Sequence, residues 1–173
     1  MKQVLFVRPD SRENGKLWWC ESGSQQVESL ENLSELDILA GHALAGRVCL
    51  LLPASETIFR HFRLPKKGMA AQSTAFSWMA EETLIGEVDN LHWTVLNKKG
   101  CDVDAVAIDA GRLRQWLDRF TAAGLTVIQA IPDAWLLPVS AGGTTFVSLD
   151  ENYWLRLSPA SACEVDTALL PLV

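Results

Sequence analysis

The sequence predicts a mixed α/β fold, and three observations carry that prediction. Gln3 to Val7 and Val48 to Leu52 are short apolar runs of the kind that form buried strands. Gly111 to Ala123 sets Leu113, Trp116, Leu117 and Phe120 at helical spacing, with Arg112, Arg114, Asp118 and Arg119 on the other side. Strand-like and helix-like segments alternate through the middle third instead of falling into separate blocks. With 173 residues, 49% of them hydrophobic and 21% charged, the chain is long and apolar enough to bury a core.

Taken in order, the strand Gln3 to Val7 is followed by the polar turn Asp10 to Gly15 and a second strand, Lys16 to Cys20, that pairs back as a hairpin. A short strand around Gln26 and Val27, a helix from Leu33 to Ala40 and the run Val48 to Leu52 complete a strand-strand-strand-helix-strand order. That order opens a ribonuclease H-like domain, the fold unit of actin-like proteins. Ile58 to Leu64 alternates without a purely apolar face, which places it at a sheet edge. A helix from Met69 to Ile85, strands Leu91 to Leu96 and Val103 to Ile108, the helix Gly111 to Ala123 and a strand Leu125 to Ala130 extend this to β-α-β-β-α-β. Gly124 supplies the stop of the second helix. After Pro132, a short helix and a hairpin of Phe146 to Leu149 with Tyr153 to Leu157 read as the start of a second ribonuclease H-like half. The expected organisation is 1–64 as a first ribonuclease H-like subdomain, 65–130 as an inserted α/β subdomain, and 131–173 as the start of a second one, incomplete here.

The helix from Met69 to Ile85 is apolar on two sides. At about 100° per residue, Phe76, Met79, Ala80 and Thr83 share one side, while Trp78 and Ile85 lie nearly opposite with Glu81 and Glu82 flanking them. Two readings follow. Either the helix is sandwiched between its own sheet and another subdomain, or Trp78 and Ile85, rimmed by Glu81, Glu82 and Glu87, form a partner-docking surface with the tryptophan as anchor. Glu81 and Glu82 are adjacent and diverge around the helix, which argues against a general acid/base pair. His92 points opposite to Leu91 and reads as a hydrogen-bonded structural histidine, and His42 and His61 show no ligand spacing to it.

Composition narrows the function. The 21 acidic against 15 basic residues give a net charge of -6, which disfavours nucleic acid and suits a basic protein partner. Cys20, Cys49, Cys101 and Cys163 are dispersed, without zinc or redox spacing, and fit a reducing cytoplasm. No signal-peptide core and no run of about 20 apolar residues occurs.

The stretch from Phe76 to Trp93, with its tandem Glu81-Glu82, acidic turn and Leu91-His92 strand, follows the pair Leu64-Pro65. A second patch runs from Ala123-Gly124-Leu125 through Ile131-Pro132-Asp133-Ala134-Trp135-Leu136-Leu137-Pro138. With Leu51-Leu52-Pro53, this ordered pattern from about Arg47 to about Leu157 resembles the type II secretion system protein L family. The resemblance implies a non-enzymatic adaptor on the cytoplasmic side of the bacterial inner membrane. Its implied partners are the N-terminal domain of the secretion ATPase, protein E, the other inner-membrane platform proteins, and a second copy as homodimer. It also implies that this chain is a soluble cytoplasmic piece ending before a transmembrane anchor.

No cofactor is expected. Actin-like ATPases hold phosphate in two glycine- and hydroxyl-rich turns, each with a metal-handling aspartate, because close backbone approach needs glycine. Here the first such turn offers Asp10, Ser11 and Lys16 without a compact glycine-threonine loop, and the second carries Glu151 where glycine is wanted. No Gly-x-x-x-x-Gly-Lys-Ser/Thr loop and no ordered Ser-His-Asp triad occurs. The alternatives are an actin-like, nucleotide-binding pilus-assembly protein, marked by retained ATP binding, and an unrelated α+β enzyme, disfavoured for want of a concentrated catalytic group. The strand Ile58 to Leu64 is a second candidate docking surface, by addition of a partner strand.

Overall fold

The computed structural model describes residues 3–12, 14–66, 73–84, 88–149 and 152–172. Its elements in chain order are β1 (Leu5–Arg8), β2 (Leu17–Glu21), β3 (Glu28–Leu30), a 3-10 helix (Leu33–Gly41), β4 (Val48–Leu52) and β5 (Thr57–Arg63). There follow α1 (Ser73–Ala80), β6 (Leu91–Lys99), β7 (Asp102–Asp109), α2 (Ala110–Ala122) and β8 (Val127–Pro132). The last strands are β9 (Thr145–Leu149), β10 (Asn152–Ser158) and β11 (Ser161–Asp166). The chain divides into two compact units, Met1–Pro53 with Arg114–Leu136, and Ala54–Leu113 with Leu137–Val173.

The first unit is a five-stranded sheet in the order β3-β2-β1-β4-β8. β1 and β2 pair antiparallel as a hairpin, and β4 pairs in parallel with β1 on one side and β8 on the other. All five residues of β4 are buried, as a central parallel strand requires, which explains its unbroken apolar run. β3 forms at Glu28–Leu30 rather than at Gln26 and Val27, because the register sets Leu30 opposite buried Leu17 and leaves Val27 exposed. α2 buries Trp116 and Phe120, one turn apart. It is capped by Asp109, whose Oδ1 accepts the Arg112 backbone N–H at 2.7 Å. It ends in a left-handed Gly124 (φ 81°), with the Leu125 N–H reaching back to the Phe120 carbonyl at 2.9 Å.

The six-element order β-α-β-β-α-β is present along the chain, but its last strand does not join its neighbours. β7 is paired on both sides, by β5 and β6, whereas the free edge of β4 takes β8 in parallel. Pro132, which cannot donate to a ladder, is tolerated there because β8 is an edge strand.

The second unit contains the sheet β5-β7-β6 and the sheet β11-β10-β9, both antiparallel. β5 lies at an edge, as its mixed faces predict. Phe62, Leu64, Phe76, Ala80, Trp93, Val103, Ala105 and Ala107 form the core between α1 and its sheet. β11 extends the expected hairpin to a three-stranded meander. Glu164 and Asp166 mask its strand character in the sequence.

A candidate docking face on the first helix

α1 is fixed through its own Phe76 by two rings of the sheet beneath it, Phe62 and Trp93. Phe76 stacks on Phe62 at a centroid distance of 4.8 Å, and Trp93 meets Phe62 edge-on at 5.1 Å. The Trp93 indole N–H donates to Ser77 Oγ at 3.2 Å, a buried bond from β6 to the helix. Phe76, Ser77 and Ala80 are therefore inside, and Trp78, next along, is directed outward with 74% of its surface exposed. Glu81 and Glu82 are exposed beside it. Glu81 keeps helical bonding, its N–H donating to the Ser77 carbonyl at 3.1 Å, before Thr83 and Leu84 both turn back onto the Ala80 carbonyl. α1 is thus shorter at its C-terminal end than the periodicity of Met69 to Ile85 predicts. Ile85 and Glu87 lie outside the described residues, so the structure brings together Trp78, Glu81 and Glu82 of the five expected docking residues.

The second candidate surface is less open than its edge position suggests, because β11 packs against β5. On the outer side of that sheet, a cluster emerges that no local spacing announces. His61 Nδ1 lies 2.8 Å from Asp104 Oδ1, and its Nε2 lies 3.5 Å from Asp102 Oδ1. His61 and Asp104 are direct partners in the β5–β7 register. The hydrogen bond to Asp104 raises the His61 pKa above 6.5, against slight desolvation, with the charges of Asp104 and Asp102 adding to it. His92 is exposed on β6 and is not the structural histidine the sequence suggests.

The first turn is closed by its own residues. The Arg12 guanidinium grips the Asp10 carboxylate through Nε at 3.1 Å and Nη2 at 3.0 Å, and the Arg12 backbone N–H donates to it at 2.8 Å. Burial pushes the Asp10 carboxyl up, but these bonds and the Arg12 charge outweigh it and hold the pKa below 3.8. A Cβ at Gly15 would run into the Asp10 side chain, so this glycine serves the turn itself. The glycine-rich loop Ala141 to Thr144 precedes β9, and Asp150 and Glu151 lie outside the described residues. Burial pushes the Cys49 thiol up to about 11 and raises those of Cys20 and Cys163, which suits packing rather than nucleophilic chemistry. Among the described residues, no group of three or more His, Cys, Asp or Glu is placed to hold a metal ion, and no helix is long and apolar enough to cross a membrane.

A sheet of order 3-2-1-4-8 with the last two strands parallel to the first, joined to a second α/β unit, defines a protein of actin-like fold. The chain belongs to the type II secretion system protein L family, whose family model matches residues 5–173. It is 30% identical over 170 residues to a protein L homologue of Escherichia coli K12, covering 96% of this chain and 44% of that protein. It is 29% identical over 170 residues to the type II secretion system protein L of Pectobacterium carotovorum, covering 95% of this chain and 40% of that protein. The chain thus spans less than half the length of these curated relatives. Its fold matches the cytoplasmic domain of EpsL, an inner-membrane component of the Vibrio cholerae type II secretion system, with a TM-score of 0.87 and 25% identity over 99% of this chain and 74% of that one. A second match, to the PilM-PilN type IV pilus biogenesis complex at 16% identity and a TM-score of 0.60, covers 94% of this chain and 61% of that one and establishes the fold alone.

Proposed function

We propose that this chain is a non-enzymatic adaptor of the type II secretion inner-membrane platform, working on the cytoplasmic side and recruiting the secretion ATPase, protein E, through that protein's N-terminal domain. The observation that carries the reading is Trp78, a large aromatic held 74% exposed on a helix whose rotation is fixed by buried contacts. An aromatic anchor rimmed by polar groups is the usual composition of a binding hot spot. Docking there passes ATPase motion through α1 into the sheet beneath it, with no chemistry in the adaptor. Other platform proteins, and a second copy, are further partners of this adaptor. Membrane attachment comes from the part of the relatives that this chain does not cover. The meander β9-β10-β11, ordered as β1-β2-β3 is, supports reading 131–173 as the start of a second ribonuclease H-like half.

The test is fractionation of cells carrying the full-length protein with and without this region. The ATPase is expected in the membrane fraction only when the region is present. An ATPase that stays with the membrane in its absence would refute the adaptor role.

A further inference from the structure

We infer that the Trp78 face receives a basic side chain, arginine or lysine, from the secretion ATPase, held between the Trp78 indole and the carboxylates of Glu81 and Glu82. This rests on the adaptor reading and specifies its chemistry. At about 100° per residue, buried Phe76 and Ala80 lie across the helix from Trp78; Glu81, still helically bonded, falls beside it, and exposed Glu82 follows in the turn that ends the helix. An exposed ring flanked by two carboxylates is the setting in which a cation gains most.

The placement of those carboxylates makes the case stronger. They stand at the C-terminal end of α1, where unsatisfied carbonyls already make the potential negative, so both oppose the helix dipole. No Lys, Arg or His occurs from Ser73 to Leu84 to offset them. Among the described residues, neither glutamate is in an ion pair. Among the described residues, an exposed tryptophan and two carboxylates at the unfavourable end of a helix are local costs without an internal return, and such conflicts concentrate at functional sites. A cation relieves all of them at once, by covering the ring face, pairing the carboxylates and complementing the helix carbonyls. An anionic lipid surface would be repelled here, and a second copy docking the same face would oppose like charges.

The test is titration of the intact cognate ATPase with the parent chain, Trp78→Phe, Trp78→Leu, and the double variant Glu81→Gln with Glu82→Gln, at low and high salt. Trp78→Leu and the double variant should each weaken binding at least about fivefold, with Trp78→Phe retaining more than Trp78→Leu. The loss in the double variant should shrink as salt rises. Its melting temperature should be no lower than the parent's, because two charges opposed to the dipole have been removed. If the parent binds and both Trp78→Leu and the double variant bind equally well, the cation clamp is overturned while the adaptor reading stands. If the parent does not bind, both fall.

Discussion

Ser77 and Trp93 are joined by a buried hydrogen bond of 3.2 Å, the indole N–H of β6 donating to the hydroxyl on α1. This bond sets the rotation of the helix and with it the outward direction of Trp78, one residue further on. A buried structural contact at Ser77 thus leaves its neighbour Trp78 exposed.

Replacing Ser77 with Ala leaves a buried indole N–H without its acceptor, which should cost about 1–3 kcal/mol. Chemical denaturation should show that loss with an unchanged denaturant slope. A neutral result would mean that the helix is held by packing of Phe76 alone.

Phe76 and Trp78 should separate stability from binding. Phe76→Ala removes a ring that is 1% exposed and should destabilise by about 3–5 kcal/mol. Trp78→Ala, at a position 74% exposed, should change stability by less than about 0.5 kcal/mol. A large drop in melting temperature for Trp78→Ala would return this tryptophan to the core.

Arg8 and Asp133 are paired at 2.8 Å, and the Asp133 side chain is fully buried. Asp133 Oδ1 also accepts the Ala134 N–H at 2.7 Å, so the carboxylate ties the segment after β8 to the end of β1. Arg8→Met should cost about 3–5 kcal/mol, because it removes the cation facing a buried carboxylate, whereas joint replacement of both residues by apolar ones should cost less. A double-mutant cycle measures the difference.

His61 should titrate above the ordinary histidine value of 6.5, because its Asp104 hydrogen bond favours the protonated ring. A raised folded-state pKa means that the stabilisation is fully present below pH 6.5 and is lost as pH rises through the folded value. Asp104→Asn should lower the His61 pKa, read by NMR titration of the ring. An unmoved titration would show that the bond does not persist in solution.

The strands that lie within one local run were legible in the sequence. β1, β4, α2 with its Gly124 stop, and the edge character of β5 all follow from patterns a few residues long. What stayed hidden depends on pairing. β8 looked like the end of an inserted unit, and only the free edge of β4 draws it into the first sheet. β11 carries too many acidic residues to announce a strand, and β10 alone selects it. Helical spacing sets Trp78 opposite Phe76 and Ala80, but spacing alone does not decide between a second buried face and an open one, and only the structure shows the 74% exposure. The His61 cluster was not legible, since the strand register brings His61 to Asp104 across 43 residues of chain.

The most direct measurement is calorimetric titration of this chain with the intact cognate secretion ATPase, with ATP titrated into the chain alongside. Saturable binding of the ATPase, sharply reduced by Trp78→Leu, without heat from ATP, is the predicted result. ATP binding in the absence of ATPase binding would contradict the adaptor account and favour a nucleotide-binding, pilus-type protein of the same fold.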